Sequence, residues 1–449
     1  MPQSTAFIGF RQAAYATMTC RADALFELSD ALLLGPLHTS VADLSQAPVF
    51  RRQWESVYQA LEDGGIDLDA LLALYARHIP APSTPGERLL LAVDTTTYPR
   101  VKAPTLPDRG IQHQPTAVPG AKPITVGHQY STIAWIPQEP GSWALFLSHD
   151  RVPSSTTASE QAVAQMRAVC AVLPDRPVLL ADAAYGTAPF RTATAPLAAD
   201  TIVRLRSRRT LRRAPGPYGG VGRPPKHGPA FKLHDARTWG PPDDTTVVVV
   251  PTWGRVRLTL WGNLHVEEVA TLPFPVVRVE PLEPGRLRHP LWLAWWGDAV
   301  PPLADWPGWY RFRFHLEHGY RFDKHTLGLC ALHAATPAPV DLWSTLVGLV
   351  VWELWFARSL VRDRPLPWQK PQQDQQTGKL TPGRVRQSIG ELLAAVGTPA
   401  RAPQPRGIAP GWPTGKARQR RPRYAIVRKR SPTGHKRSRP VRSRSPAAR

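Results

Sequence analysis

Three stretches in the first eighty residues repeat apolar side chains at i, i+3, i+4 and i+7: ADALFELSDALLL, FRRQWESVYQALED and DLDALLALYARHI. That spacing gathers the apolar positions on one stripe and predicts three amphipathic helices. GPLHTS and GGI break the pattern between them. From residue 87 the period changes. RLLLAVDTT is a short apolar run ending in Asp94, and it predicts a buried strand. HQYSTIAWIP and SWALFLSHD predict two more strands with a turn at QEPGS. Helical spacing returns in TASEQAVAQMRAVCAVL (157–173). RPVLLADAAYG then predicts a strand ending in Asp182, and TIVRLRS (201–207) a further one.

Between 208 and 300 the helical signal fades. TTVVVVPTWGRVRLTLWG and FPVVRVEPL alternate as strands do, beside the basic loop RRAPGPYGGVGRPPKHGP. Helical spacing resumes at 306–330 and 339–362. The most apolar segment, LWSTLVGLVVWELWFA (342–357), has sixteen residues and includes Glu353. A membrane span needs about 20 apolar residues, so this segment predicts a buried helix, and no membrane is expected as a partner. Beyond 363 the chain is rich in Pro and Gln, with one more helix predicted at RVRQSIGELLAAV. The final 49 residues carry 16 Lys and Arg and no Asp or Glu, which predicts a disordered basic tail.

The expected organisation is therefore α/β. A helical N-terminal domain (1–80) for DNA binding or dimerisation precedes the first part of a mixed-sheet core (87–207). A β-rich insertion (208–300), the second part of the core (301–362) and a Pro/Gln-rich, basic C-terminal tail (363–449) follow. No internal repeat is visible.

Charge narrows the partner. With 449 residues, a formal net charge of +22 and a pI near 10.6, the chain is more basic than solubility needs. A polyanion, most often nucleic acid, is the partner such an excess implies. Arg outnumbers Lys 46 to 10, which suits forked phosphate contacts and equally suits a GC-rich coding genome. Cys20, Cys170 and Cys330 are odd in number and far apart, forming neither a CxxC metal site nor a disulfide framework, so a reducing cytoplasm is expected. The first thirty residues hold no continuous apolar run of the kind a secretory signal carries.

The stretch YRFRFHLEHGYRFDK (310–324) sets one carboxylate among cations and rings. At about 100° per residue, offsets of 3, 7 and 14 fall near −60°, −20° and −40°, so Tyr310, Arg313, Glu317 and Lys324 share one helical face. A solvated amphipathic face would look the same. Asp94 and Asp182, each following a buried apolar run, add to it. Carboxylates that converge from two strand ends and one helix suit two divalent ions, Mg²⁺ or Mn²⁺. Two such ions about 4 Å apart activate an attacking oxygen and stabilise a leaving one at a phosphodiester. Arg313 and Lys324 would then hold adjacent phosphates and Tyr310 would donate to another.

Two basic segments are further candidates. RLRSRRTLRR (204–213), with Arg208, Arg209, Arg212 and Arg213, is dense enough to favour backbone phosphates. GVGRPPKHG resembles an AT-hook core, with Arg223 beside Pro224 for a narrow minor groove, or else is a solvated loop. His128, His315 and His318 lack metal-ligand spacing and are not assigned.

At these residues the chain resembles the DDE transposases of bacterial insertion sequences. The order Asp94, Asp182, Glu317, with β structure before the Glu, is theirs, and DAAYG at Asp182 looks like their second-Asp motif. Tyr310-x2-Arg313-x3-Glu317-x6-Lys324 is similar at every spacing to the signature of their hairpin-forming, cut-and-paste branch. The resemblance covers about 88–330. It implies an RNase H-like catalytic domain in which Asp94, Asp182 and Glu317 bind two metal ions. It also implies double-stranded DNA as substrate, both the element's terminal inverted repeats and the target, handled by a homodimer at the nucleoid. A strand is nicked at the element's end, the freed 3′-hydroxyl attacks the opposite strand to form a hairpin, and the reopened end joins target DNA. A Trp of the insertion stacks on a flipped base in that branch, and Trp292 in PLWLAWWGD stands at the matching place, with Trp295 and Trp296 as competitors. Such a stack contributes on the order of 1–3 kcal/mol. Two alternatives stay open: an RNase H-like nuclease or resolvase without strand transfer, and a non-catalytic basic DNA-binding protein.

Overall fold

The computed structural model describes residues 2–428 except 36–39, 83–85, 114–122, 140, 221, 370–379, 406–410, 412, 416, 418 and 419. Most of the expected Gln-rich run and the tail from 429 onward lie outside the described residues.

The N-terminal part contains α1 (Pro2–Ala16), β1 (Met18–Cys20), α2 (Ala22–Leu34), α3 (Glu55–Asp63), β2 (Gly65–Ile66) and α4 (Leu68–Arg77). Three of the four helices are those the apolar spacing predicts, although α3 begins only at Glu55, five residues into its predicted stretch. Asp67 starts α4 by accepting a hydrogen bond from the Ala70 N–H at 3.0 Å. Neither α1 nor the small antiparallel β1–β2 pair was expected.

The sheet begins with β3 (Leu90–Pro99), β4 (Gly110–His113), β5 (Ile124–Trp135) and β6 (Leu145–Arg151). Helix α5 (Ala158–Val172), β7 (Val178–Ala181), α6 (Ala188–Thr194) and β8 (Asp200–Leu205) follow. Across the sheet these run β6-β5-β3-β7-β8, with β3, β5 and β6 antiparallel and β3, β7 and β8 parallel. A meander of three antiparallel strands extended by two parallel ones is the arrangement expected of an RNase H-like core.

The segment expected as an insertion contributes β9 (Thr210–Arg213), β10 (Ala230–Lys232), β11 (Asp244–Val250), β12 (Gly254–Val266), β13 (Val269–Pro281) and β14 (Leu291–Trp296). It builds no separate sheet. Strand β14 pairs antiparallel with β8, from Trp292↔Leu205 to Trp296↔Thr201, so all twelve strands form one continuous sheet. The free edge of β8 is thereby covered, as an otherwise exposed ladder requires.

Next come α7 (Asp305–Tyr310), α8 (Phe314–His325), α9 (Pro337–Ala357), α10 (Pro382–Ser388) and α11 (Gly390–Val396). The stretch expected as one signature helix is α7 and α8 joined by a 3-10 turn, Arg311–Arg313. The last predicted helix is likewise two, broken at Ile389. Side chains alternate across the sheet. Leu91, Val93, Ile133 and Trp135 face the core shared with α1 to α4 and α9. Leu90, Ala92, Ala134, Leu180 and Ile202 face the core under α7 and α8. By the same period of two, Asp94 and Asp182 belong to the α7–α8 side.

Helix α9 is, among the described residues, the one helix long and apolar enough to cross a membrane, yet 78% of its apolar window is buried inside the protein. Its Glu353 explains the placement. Arg11 of α1 bonds both Glu353 and Asp30 of α2, the latter at 2.6 Å, with all three side chains at most 3% exposed. The C-terminal part departs from the expected disorder at Arg401, whose N–H donates to Asp23 Oδ1 at 2.8 Å and whose carbonyl accepts from Arg52 at 2.8 Å, and again beside β4, where the Tyr424 N–H donates to Pro104 O at 2.8 Å and the Val427 N–H to Arg109 O at 2.7 Å. Strand β4 has a free backbone edge there, which this segment partly satisfies.

Candidate active site

Asp94 is not at a strand end, as its apolar run suggested. It lies midway along β3, which continues to Pro99 against β5. What ends at this level is the neighbour: β7 pairs with β3 through Val93↔Ala181 and stops, so Asp182 leaves the sheet beside Asp94. Parallel neighbours run about 4.8 Å apart, which makes the two carboxylates adjacent. Asp182 folds into a turn, its Oδ1 accepting from the Ala184 N–H at 2.8 Å.

Glu317 comes from α8. The Arg313 guanidinium bonds Glu317 Oε1 at 2.6 Å, an i,i+4 pair, and reaches Asp94 Oδ2 at 3.5 Å. The Arg313 side chain is 7% exposed, that of Asp94 24% and that of Glu317 47%, so the acidic side of the cluster opens outward. Burial pushes Asp94 up to about 6. Arg313 pulls it back, and the charges of Asp182 and Glu317 add to the rise. Asp182 and Glu317 therefore both act on Asp94, and one arginine stitches Asp94 to Glu317.

Second residues hold this frame. Tyr320, three positions after Glu317, donates its hydroxyl proton to Asp94 O at 3.1 Å and lies 2.7 Å from Thr132 Oγ1. Tyr185, in DAAYG, is buried, and burial, then Asp94 and Asp182, raise its phenol well above the ordinary range. Sequence reasoning missed both. The helical offset of three from Glu317 was a signal for Tyr320; for Tyr185 it was its place in DAAYG.

The structure places the other expected residues as follows. Tyr310 is buried beneath Arg313, whose guanidinium carbon lies 5.9 Å from the ring centre. Its hydroxyl has no hydrogen-bond partner among the described residues, and burial pushes it up to about 12. Lys324 is partly exposed and has no carboxylate within 4 Å among the described residues; its charge acts on His149, Asp323 and Cys330. Arg208 and Arg223 are exposed and make no ion pair among the described residues. Arg209 lies 4.0 Å from Glu268 and Arg212 pairs with Glu267 at 2.9 Å. Arg213 donates to Trp239 O and covers the Phe231 ring. His128 is held by the Pro107 carbonyl at 2.9 Å.

Trp292 sits apart from the carboxylates. It is 4% exposed and packs on Trp239 at 5.1 Å, Trp261 at 5.5 Å and Phe231 at 6.0 Å between ring centres. Trp295 and Trp296 are buried too. In this packing protein rings already surround Trp292. Trp292→Ala is expected to cost about 3–5 kcal/mol of stability through the cavity it leaves. Urea unfolding measures that cost, and an unchanged midpoint would return Trp292 to nucleotide stacking.

A hard divalent cation is matched by carboxylate oxygens, and these three present nothing softer. The fit is of donor chemistry, since among the described residues no three His, Cys, Asp or Glu side chains are gathered closely enough to form a ready cage. Arg313 occupies the space between Asp94 and Glu317, neutralising the charge a cation would otherwise meet.

Comparison with known proteins bears on the same strands. A family model described as DDE superfamily endonuclease matches residues 14–259, more than half of the chain. The matched region contains Asp94 and Asp182 and ends before Glu317. No curated protein matches the chain.

Proposed function

The chain belongs to the DDE superfamily endonuclease family, whose substrate is DNA and whose members generally depend on divalent metal, and from that premise we propose that it is a cut-and-paste DNA transposase. In this reading Asp94, Asp182 and Glu317 are the catalytic carboxylates. The observation that carries it is Arg313, which holds Glu317 at 2.6 Å and Asp94 at 3.5 Å while Asp182 leaves the adjacent strand.

Asp94, Asp182 and Glu317 would hold two Mg²⁺ or Mn²⁺ ions, which supply charge neutralisation at the attacked phosphate and make the attacking oxygen acidic. The protein's own residues do the rest. Tyr320 fixes the backbone of β3 at Asp94, so that carboxylate is presented from a rigid strand. Arg313 orients Asp94 and Glu317 before substrate arrives, and its forked N–H donors would suit a phosphate beside them. Lys324, Arg208 and Arg223, without carboxylate partners, face the DNA backbone. A buried Tyr310 supports Arg313 and reaches DNA only if the α7–α8 junction opens.

Cleavage alone does not distinguish a transposase from a nuclease on the same scaffold. The full-length protein, given Mg²⁺, a duplex carrying the sequences that flank its gene and a supercoiled target, is expected to produce joined 3′ ends as well as nicks. Nicking without any joined product favours the nuclease reading, and binding indifferent to metal and to all three carboxylates favours a non-catalytic one. A hairpin on the element's end, seen on a denaturing gel, separates the Tyr–Arg–Glu–Lys branch from others.

A further inference from the structure

Strand β11, far from the carboxylates along the sheet, pairs with β12 and with no other strand among the described residues. Beyond its own hairpin turn, no described backbone hydrogen bond outside that pairing involves it. Its residues run in unbroken register, Asp244↔Leu260 to Val250↔Gly254, without a bulge. The strand reads DTTVVVV and holds no Lys, Arg or Pro. Free sheet edges ordinarily carry such devices, because an open ladder pairs with any strand it meets. This edge has none of them.

Alternation gives the strand two faces. Val248 and Val250 turn to the core beneath α7 and α8. Val247 and Val249 turn the other way and are 47% and 75% exposed.

Charge narrows what can meet this edge. The chain carries +22 overall, yet the surroundings of β11 are balanced. Arg255, opposite Val249, pairs with Glu283 at 3.3 Å, and Arg257, opposite Val247, pairs with Glu280 at 3.4 Å. Both arginines of β12 are thus matched, and β11 itself adds only the negative Asp244. A polyanion finds no free cation along this strand pair, and a second copy of the chain meets no uncompensated positive charge there.

An antiparallel copy of the strand is complementary to it. For one sheet to continue with both cores on the same side, opposed residues must have the same parity. Full overlap of 244–250 then sets Val247 opposite Val247, Val249 opposite Thr245, Val248 opposite Thr246 and Val250 opposite Asp244. Apolar side chains face apolar or Thr partners along the middle, and the two Asp244 carboxylates stand about 20 Å apart. The pairing is two-fold and closes on itself, because each copy has spent its β11 edge.

We propose that β11 is a contact between two copies of this chain, joined edge to edge in antiparallel register centred on Val247. Seven residues from each copy make a smaller contact than the standard interface of about 800 Å² per partner. The pair is therefore weak, forming at micromolar rather than nanomolar concentration.

The test uses the full chain, freed of nucleic acid, with Cys20→Ser removing the exposed thiol. Under mild oxidation Val247→Cys is expected to give a disulfide-linked dimer, since directly opposed Cβ atoms lie about 4.5–5.5 Å apart. Val249→Cys is expected to give none by itself, its own copy lying about 14 Å away, but to cross-link when mixed with Thr245→Cys. A second pair of variants reads the contact without oxidation. In sedimentation, Val247→Lys is expected to self-associate at least about tenfold more weakly than the parent, because like charges then oppose each other. An equimolar mixture of Val247→Lys and Val247→Glu is expected to recover the association. No cross-link at Val247, equal cross-linking at Val249, unweakened Val247→Lys, or a mixture no tighter than Val247→Lys alone each overturns the proposal.

Discussion

Asp182→Asn is expected to lower metal-dependent DNA cleavage by at least about 10³-fold, equivalent to about 4 kcal/mol of barrier, and to leave DNA binding intact. The variant isolates charge from shape. The one hydrogen bond of the Asp182 side chain among the described residues is accepted from the Ala184 N–H, and an amide oxygen accepts it equally well. The turn after β7 therefore survives, while the site loses an anionic oxygen donor that a hard cation needs. Glu317→Gln behaves alike, since its amide oxygen still accepts from Arg313. Acidity tests the same frame: with Asp94 held up to about 6, chiefly by burial, the carboxylate form is lost as pH falls through that value. Cleavage by the unaltered protein should decline with it and level off above. Nicking assays and mobility shifts on one preparation measure both quantities, and a fully active Asp182→Asn protein would remove the assignment of that residue.

The second large effect belongs to stability. Arg11→Met is expected to destabilise the protein by about 3–5 kcal/mol, the usual cost of orphaning a buried charge. Arg11 is sandwiched between the rings of Phe26 at 4.9 Å and Phe7 at 5.5 Å while it bonds Asp30 and Glu353. Burial pushes Glu353 up to about 7 even against the pull of Arg11, and raises Asp30 as well. Without Arg11 both carboxylates must take up protons to stay inside. The loss is therefore larger in alkaline than in mildly acidic buffer. Glu353→Gln should cost less, because the Arg11–Asp30 pair remains. Chemical denaturation at several pH values gives the ranking, and an Arg11→Met protein as stable as the parent would show that α1 and α9 need no ionic link.

Much of the core was legible because its elements are regular. TASEQAVAQMRAVCAVL contains the whole of α5, and HQYSTIAWIP, SWALFLSHD and TIVRLRS each cover most of their strand, since burying one face imposes a period that survives in the residues themselves. The boundaries around Asp94 were less legible. An apolar run ending in a carboxylate looks like a strand that stops, but β3 continues through TTTYP because β5 pairs with it out to Gly127. The 3-10 turn at Arg311–Arg313 was hidden for a related reason: its residues stay close to helical, so the spacing from Tyr310 to Glu317 still reads as one face. The Trp residues of PLWLAWWGD show a further limit. Composition marks them as important, while whether a ring meets a nucleotide or another ring depends on Trp239 and Trp261, far away along the chain.

What the sequence determined by itself is local: the period of most of the longer helices and strands, the strong positive charge, and an acidic trio in the order Asp94, Asp182, Glu317. Partners were left to the tertiary structure. It made β9 to β14 an extension of the same sheet, set Asp182 beside Asp94, and closed Arg313 over Asp94 and Glu317. It also drew Glu353 of an apolar helix to Arg11, 342 residues away. Periodicity encodes which face a residue takes, and only packing between distant segments decides what that face will touch.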